Sequence, residues 1–233
     1  TKVKGYTQKL TVLRNNEKTE ISIDNLIFYS KNYDYDFIGF GDPVFNNNPN
    51  KTEINLGLLK LRNSSGTFEK LDQFYASIPE LKETREEIIN AKNSILDIPK
   101  NEAFSNLNFN GKTKTFLGEE ANEKNFYDLQ DKSTRFLTFA THAISSKDQS
   151  FLTHPSLILS RTIDKDNDGL LSSLEVAEMN IESDLTILSA CNTFSANEDS
   201  DFKLSGFANS FLISGTRNIM LSRWSVPSEQ TAE

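Results

Sequence analysis

The sequence of 233 residues contains one cysteine and two histidines. A single thiol excludes an internal disulfide, and three such side chains are too few for a four-ligand structural zinc site. No apolar run approaches the roughly 20 residues that span a bilayer, so no membrane segment is expected. A reducing, cytoplasmic setting is the simplest interpretation of this composition.

The sequence also lacks an early methionine and an excess of basic over acidic residues. The first methionine is Met179 and no basic and apolar leader opens the sequence, so we expect a piece of a longer protein rather than an exported precursor. The net charge is -8, with +1 on residues 1–116 and -9 on residues 117–233. An acidic half repels phosphate backbones, which argues against direct nucleic-acid binding and favours cations or basic peptides.

Apolar runs typical of strands alternate with segments of helical spacing. The predicted strands span 37–40, 135–140, 156–160, 184–190 and 218–222, and the predicted helices span 77–98, 121–130 and 204–213. Such alternation is typical of an α/β domain with a mostly parallel sheet. Residues 1–35 are predicted to be flanking short strands or loops, ahead of one domain over 36–233.

His142 and Cys191 each follow one of the predicted strands. The carboxyl ends of parallel strands meet at one edge of a sheet, where functional groups gather. A histidine within hydrogen-bond reach favours the thiolate that a nucleophilic cysteine needs. Taken alone, the two residues also fit a buried small thiol and a structural histidine, so catalysis stays open. The rival base, His154, lies in a predicted loop before Pro155.

Several stretches, in this order, resemble the CHAT family of caspase-like domains, which often accompany TPR repeats. They are GFGDPVF at 39–45, FATH at 139–142, DGLLS at 168–172, DLTILSACNT at 184–193, LSGFANSFLISG at 204–215 and WSV at 224–226. The resemblance runs from about residue 36 to the end. It implies a caspase-like three-layer sandwich, with helices on both faces of the sheet, and cysteine endopeptidase activity. By position, it makes His142 the general base and Cys191 the nucleophile.

The sequence departs from the family pattern around this pair. Ala143 stands where the family usually has a glycine whose N–H helps to form the oxyanion hole, and the amide of Cys191 would be the second donor. Asp201-Phe202-Lys203 and Pro227-Ser228 also replace family residues, so the substrate loops differ more than the pair. The helix expected from Pro227 is cut off at residue 233, which predicts a truncated domain end.

Residues 164–175 match a twelve-residue calcium loop. Its ligand positions are Asp164, Asp166, Asp168, Leu170, Ser172 and Glu175. A calcium hand also needs a helix before the loop, whereas 156–160 has the pattern of a strand. The alternative is a tight turn at Asp168-Gly169 followed by a capping box of Ser172 and Glu175. Calcium is therefore one open interpretation, and the expected chemistry requires no cofactor.

The resemblance implies an endopeptidase that cleaves a protein partner under the control of a neighbouring TPR or other sensor module. A catalytically silent caspase-like scaffold and a calcium-responsive domain are the alternatives. Asn192 follows the nucleophile and is a candidate substrate contact. Three acidic residues come next, Glu198, Asp199 and Asp201, and they predict a preference for Arg or Lys before the scissile bond.

Overall fold

The computed structural model of the protein describes residues 6–14, 17–26, 31–45, 67–98, 107–144, 152–162, 167–190 and 201–221. For 6–26, 67–70 and 201–205 the description is of the backbone. The elements, in chain order, are β1 (Tyr6–Arg14), β2 (Glu17–Leu26), β3 (Tyr35–Gly41), α1 (Thr67–Ser77), α2 (Glu83–Asp97), β4 (Thr113–Leu117), α3 (Glu123–Tyr127), β5 (Ser133–Ala140), β6 (Ala143–Ile144), β7 (Ser156–Ile158), β8 (Leu170–Ser172), α4 (Ser173–Glu178), β9 (Glu182–Ser189), α5 (Asp201–Ser214) and β10 (Thr216–Leu221).

A five-stranded parallel sheet forms the centre of the molecule. Its strand order is β10-β9-β5-β3-β4, and every neighbouring pair is parallel. β5 is the middle strand, and all its residues from Thr134 to Ala140 are buried. The predicted α/β fold with a mostly parallel sheet is confirmed.

Alternate side chains of the strands pack against helices on opposite faces of the sheet. On one face, Ile38, Phe40, Leu137, Phe139 and Leu188 pack with the buried residues Phe126 of α3, Val176 of α4 and Phe207 and Phe211 of α5. On the other face, Phe37, Phe136, Ala140 and Leu185 pack with Ile88 and Ile95 of α2. Helices therefore cover both faces, as the three-layer sandwich requires.

A second, antiparallel sheet with the order β6-β7-β8 follows the middle strand of the first. It packs with α1 through a separate core that includes Phe45, Leu71, Tyr75, Ile144 and Ile158. The predicted strand at 156–160 is thus present as β7, and it belongs to this small sheet rather than to the parallel one.

The helix predicted over 77–98 is present as α2, which begins six residues later than predicted, and the helix before it, α1, was not predicted. α1 ends at Ser77 and α2 begins at Glu83. Pro79 lacks an N–H and disfavours the helical conformation of the residue before it, so the helical spacing of Ile78 does not continue a helix. Ile78 instead turns inward and is buried in the core beside α1.

Buried charges occupy the amino edge of the central sheet, a feature that the sequence patterns did not predict. Arg135 of β5 and Asp184 of β9 have no exposed side-chain surface, and their Nη1 and Oδ2 atoms are 3.4 Å apart. Arg217 lies 2.8 Å from Oδ1 of the same carboxylate, and Tyr33 donates its hydroxyl to it. The guanidinium of Arg135 also lies over the rings of Tyr33 and Phe109, with Cζ 4.8 and 4.6 Å from their centroids. These contacts compensate the cost of burying the charges.

The N-terminal part of the described chain is an antiparallel hairpin, in which β1 pairs with β2 from Tyr6↔Leu26 to Arg14↔Glu17. The predicted domain boundary between residues 35 and 36 stays a prediction. No helix in the described ranges is long and apolar enough to cross a membrane.

Candidate active site

His142 lies two residues after the end of the middle strand, at the carboxyl edge of the central sheet. β5 ends at Ala140, and the amide of Thr141 still donates to the carbonyl of Ser189 in β9, 3.3 Å away. Because side chains alternate along a strand, His142 has the same parity as Phe136 and Ala140, which face α2. The ring therefore belongs to the side of the sheet that α2 covers.

The imidazole of His142 is buried and held by a backbone carbonyl. Only 1% of the residue is exposed, and Nε2 lies 2.9 Å from the carbonyl oxygen of Pro79. A carbonyl only accepts hydrogen bonds, so Nε2 carries a hydrogen and Nδ1 is the basic nitrogen of the neutral ring. The ring of Phe45 lies beside it, with 5.5 Å between the centroids. The imidazole is thus oriented with Nδ1 as its proton acceptor.

Burial lowers the pKa of His142 below its ordinary value of 6.5, because the imidazolium loses its solvation in the interior. The hydrogen bond to Pro79 and the negative charge of Glu83 act in the opposite direction. The net direction is downward, so the ring is neutral at pH 7 and available as a base.

The end of β3 lies against the first turn of α2, at the carboxyl edge of the central sheet. A Cβ atom at Gly41 would lie 2.9 Å from the carbonyl oxygen of Thr84, so the absence of a side chain permits this approach. Thr84 accepts the amide hydrogen of Asp42 at its Oγ1, 2.8 Å away, and Arg85 donates to the carboxylate of Asp42 at 2.7 Å. Asp42 has a φ of 51°, in the left-handed region. These contacts hold the start of α2, which includes Glu83, against the end of β3.

The backbone N–H of Ala143 is directed to the outer edge of the small sheet. The amide of Ile158 donates to the carbonyl of His142 at 2.9 Å, which makes these two residues a hydrogen-bonded pair. Pairs alternate along an antiparallel ladder, so Ala143 and Leu157 form a non-hydrogen-bonded pair. The N–H of Ala143 therefore points away from β7, one residue after the histidine.

A comparison with protein families decides what kind of domain carries this histidine. The family model for the CHAT domain matches residues 7–233. The chain belongs to the CHAT domain family. This family is related to the caspase-like peptidases, and its match includes the β1–β2 hairpin. No curated protein and no solved structure matches the chain.

The other half of the predicted pair in this CHAT domain, Cys191, lies outside the described residues, and so do Asn192, Glu198 and Asp199. The described chain reaches Ala190, which is buried at the end of β9. Asp201 opens α5, where the backbone alone is described. The roles predicted for these residues stay predictions.

The rival base, His154, is exposed, and its Nδ1 lies 2.9 Å from Oγ1 of Thr153. It precedes β7 of the small antiparallel sheet, whereas His142 follows the middle strand of the central one. Among the described residues, His142 is thus the histidine at the carboxyl edge of the parallel sheet.

The acidic loop of the CHAT domain is described from residue 167 onward, and Asp164 and Asp166 lie outside this range. Ser172 accepts the amide of Glu175 at its Oγ, 3.3 Å away, and the Glu175 carboxylate accepts the amide of Ser172 at 2.7 Å. The predicted capping box at the start of α4 is therefore present. Asp168 accepts the amide of Leu170 at 2.9 Å, which closes the predicted tight turn.

The chain before this loop is strand β7 followed by a single bridge at Ser160, with no helix in the described part of that approach. In the described ranges, no three side chains of the His, Cys, Asp and Glu types converge as a possible metal cluster. Calcium binding by residues 164–175 stays a prediction.

Two contributors to the site were missed from the sequence, the carbonyl of Pro79 and the carboxylate of Glu83. The carbonyl is a backbone group 63 residues before His142, and every residue has one, so no side-chain pattern marks it. Glu83 is one of several glutamates in the first half of α2, where acidic residues are common because of the helix dipole. Pro79, which interrupts the helical pattern, was the sequence signal that a turn with a free carbonyl lies there.

Proposed function

We propose that this CHAT domain is a cysteine endopeptidase in which His142 is the general base and Cys191 is the nucleophile. The observation that carries the proposal is the register of β5 against β9. The two strands pair from Ser133↔Glu182 to Ala140↔Ser189, always 49 residues apart. Cys191 follows His142 by the same 49 residues. If the two strands continued in this register for two more residues, His142 and Cys191 would be paired.

Such a pairing suits proton transfer. Neighbouring strands lie about 4.8 Å apart, and paired residues project to the same face of a sheet. The face in question is the one that α2 covers, where the Pro79 carbonyl leaves Nδ1 of His142 as the basic nitrogen. A thiol beside that nitrogen has a base at hydrogen-bond range.

The reaction follows from these groups. The S–H bond of Cys191 breaks, its proton moves to Nδ1 of His142, and the sulfur forms a bond to the carbonyl carbon of the substrate. The carbonyl oxygen takes the electron pair, and the amides of Ala143 and Cys191 are the proposed donors to it. His142 then returns the proton to the amine nitrogen as the C–N bond breaks. Water hydrolyses the remaining thioester and releases the free thiol.

Alkylation of Cys191 by iodoacetamide tests this assignment without a substrate. We expect His142→Ala to slow the alkylation at pH 7 by about tenfold or more, because the thiolate loses its base. His154→Ala is the matched control, since that ring is exposed and precedes the small sheet, and it should keep the rate of the unchanged protein. Equal rates in all three proteins would support the silent scaffold instead.

The substrate that we propose is a protein partner with Arg or Lys before the scissile bond, presented under the control of a TPR or other sensor module in the reducing cytoplasm. The support is the charge of -9 on residues 117–233, which include Glu198, Asp199 and Asp201. Fluorogenic peptides that differ at this one position should be cleaved fastest with Arg or Lys. A preference for Asp or for a small apolar residue would contradict the electrostatic argument.

A further inference from the structure

We infer that Phe45 is a positioning residue of this site, whose ring holds the imidazole of His142 in the orientation that keeps Nε2 on the carbonyl of Pro79. The inference rests on the proposed function and adds to it a residue from the segment after β3, which acts through the histidine.

One hydrogen bond does not fix the orientation of an imidazole. The Nε2 atom of His142 lies 2.9 Å from the carbonyl oxygen of Pro79, and this contact restrains one atom of the ring. Rotation about the bond between Cβ and Cγ has broad, roughly two-fold preferences in histidine, and half a turn exchanges the places of Nδ1 and a ring carbon. A base whose nitrogen changes place accepts a proton only part of the time. A second contact is needed to keep Nδ1 in one place.

The ring of Phe45 makes such a contact. Its centroid lies 5.5 Å from that of His142, with 38° between the ring planes, and the two residues are 2% and 1% exposed. Protein interiors are closely packed, so a flat ring at this distance obstructs the rotation of its neighbour. Phe45 belongs to the same core as Ile144, the second residue of β6. The Phe45 ring therefore packs beside the imidazole within a core that β6 shares.

Hydrogen bonds hold the backbone on either side of this contact. The amide of Val44 donates to Oγ of Ser160 at 2.7 Å, and that hydroxyl donates to the carbonyl of Gly118 at 2.8 Å. Ser160 is buried, so water competes little for these bonds. At the start of the same segment, the amide of Asp42 donates to a side chain in the first turn of α2. The segment is thus bound at both ends, which allows Phe45 to restrain a neighbouring ring.

Nuclear magnetic resonance of the histidine ring nitrogens tests the inference, because the two nitrogens of a neutral imidazole differ when one tautomer is present. The protein has two histidines, so His154→Gln assigns the signals of each. In the unchanged protein at pH 7, we expect Nε2 of His142 to carry the hydrogen. Phe45→Leu keeps an apolar side chain but removes the flat ring. It should shift the two nitrogen signals of His142 towards each other, as a mixture of tautomers does.

Leu71→Ala is the matched control. Leu71 is a buried residue of the same core, and it lies six residues before the end of α1, about 9 Å along the helix axis. This variant should leave both nitrogen signals of His142 as they are in the unchanged protein. Unshifted signals in folded Phe45→Leu, or the same shift in Leu71→Ala, would overturn the inference.

Peptide cleavage separates this inference from the proposed function. We expect Phe45→Leu to lower kcat by about tenfold with little change in KM, because the base is misplaced for part of the time while the substrate still binds. If His142→Ala lowers kcat and Phe45→Leu does not, the inference fails and the proposed function stands. If the unchanged protein cleaves no peptide, or His142→Ala cleaves as fast, the proposed function fails. The nitrogen signals then decide alone whether Phe45 positions the ring.

Discussion

Replacement of Cys191 by Ala should abolish peptide cleavage, with a fall in kcat/KM of about 10³-fold or more, because the thioester can no longer form. His142→Ala should reduce kcat/KM by about 10²- to 10⁴-fold, the usual range for loss of a general base. Both rates are measured on a peptide with Arg or Lys before the scissile bond. Both variants should remain folded, as judged by circular dichroism.

His154→Ala is the control for this pair of variants. It removes the other histidine, which is exposed and precedes the small antiparallel sheet, so cleavage should continue at the rate of the unchanged protein. Cleavage that survives in purified Cys191→Ala would reject the nucleophile assignment. Cleavage lost in His154→Ala and retained in His142→Ala would make His154 the base.

The largest effect on stability is expected at the opposite edge of the sheet. Asp184→Ala should lower the free energy of unfolding by about 3–5 kcal/mol, because it leaves the fully buried guanidinium of Arg135 without that counter-charge. The hydroxyl of Tyr33 and the guanidinium of Arg217 would lose the same acceptor. Since the free energy of unfolding of most domains is about 5–15 kcal/mol, such a loss is a large part of the total stability. Urea unfolding measures it.

Glu182→Gln is the matched control on the same strand. Glu182 accepts from Lys31 and Arg217, but about a third of its side chain is exposed, so its ion pairs are partly screened. We expect a loss of about 0–1 kcal/mol. Similar losses in Asp184→Ala and Glu182→Gln would show that burial does not decide the strength of these pairs.

The fold was predictable where one local pattern determined the structure. The apolar runs of β5 and β9 are buried on both faces, and such runs are typical of parallel strands. The capping box at Ser172 was predictable because a cap depends on residues three apart. His142 could be placed at the end of a strand for the same reason.

Contacts between distant segments were not predictable from those patterns. Arg135 is a buried charge near the start of β5, and the sequence does not show that Asp184, 49 residues later, compensates its charge. The helix predicted over 77–98 included Pro79, so the carbonyl that orients His142 was missed. Both omissions concern groups whose partners are brought close by the tertiary fold alone.

Cys191 and His142 face each other in the proposed site, and a bifunctional reagent tests this placement most directly. Treatment with 1,3-dibromoacetone, which joins a thiol to a nearby imidazole nitrogen, is followed by proteolytic digestion and mass spectrometry. The protein has one cysteine and two histidines, so the products are few. We predict a cross-link between the peptides of Cys191 and His142. A cross-link from Cys191 to His154, or an alkylated Cys191 joined to neither histidine, would contradict the account.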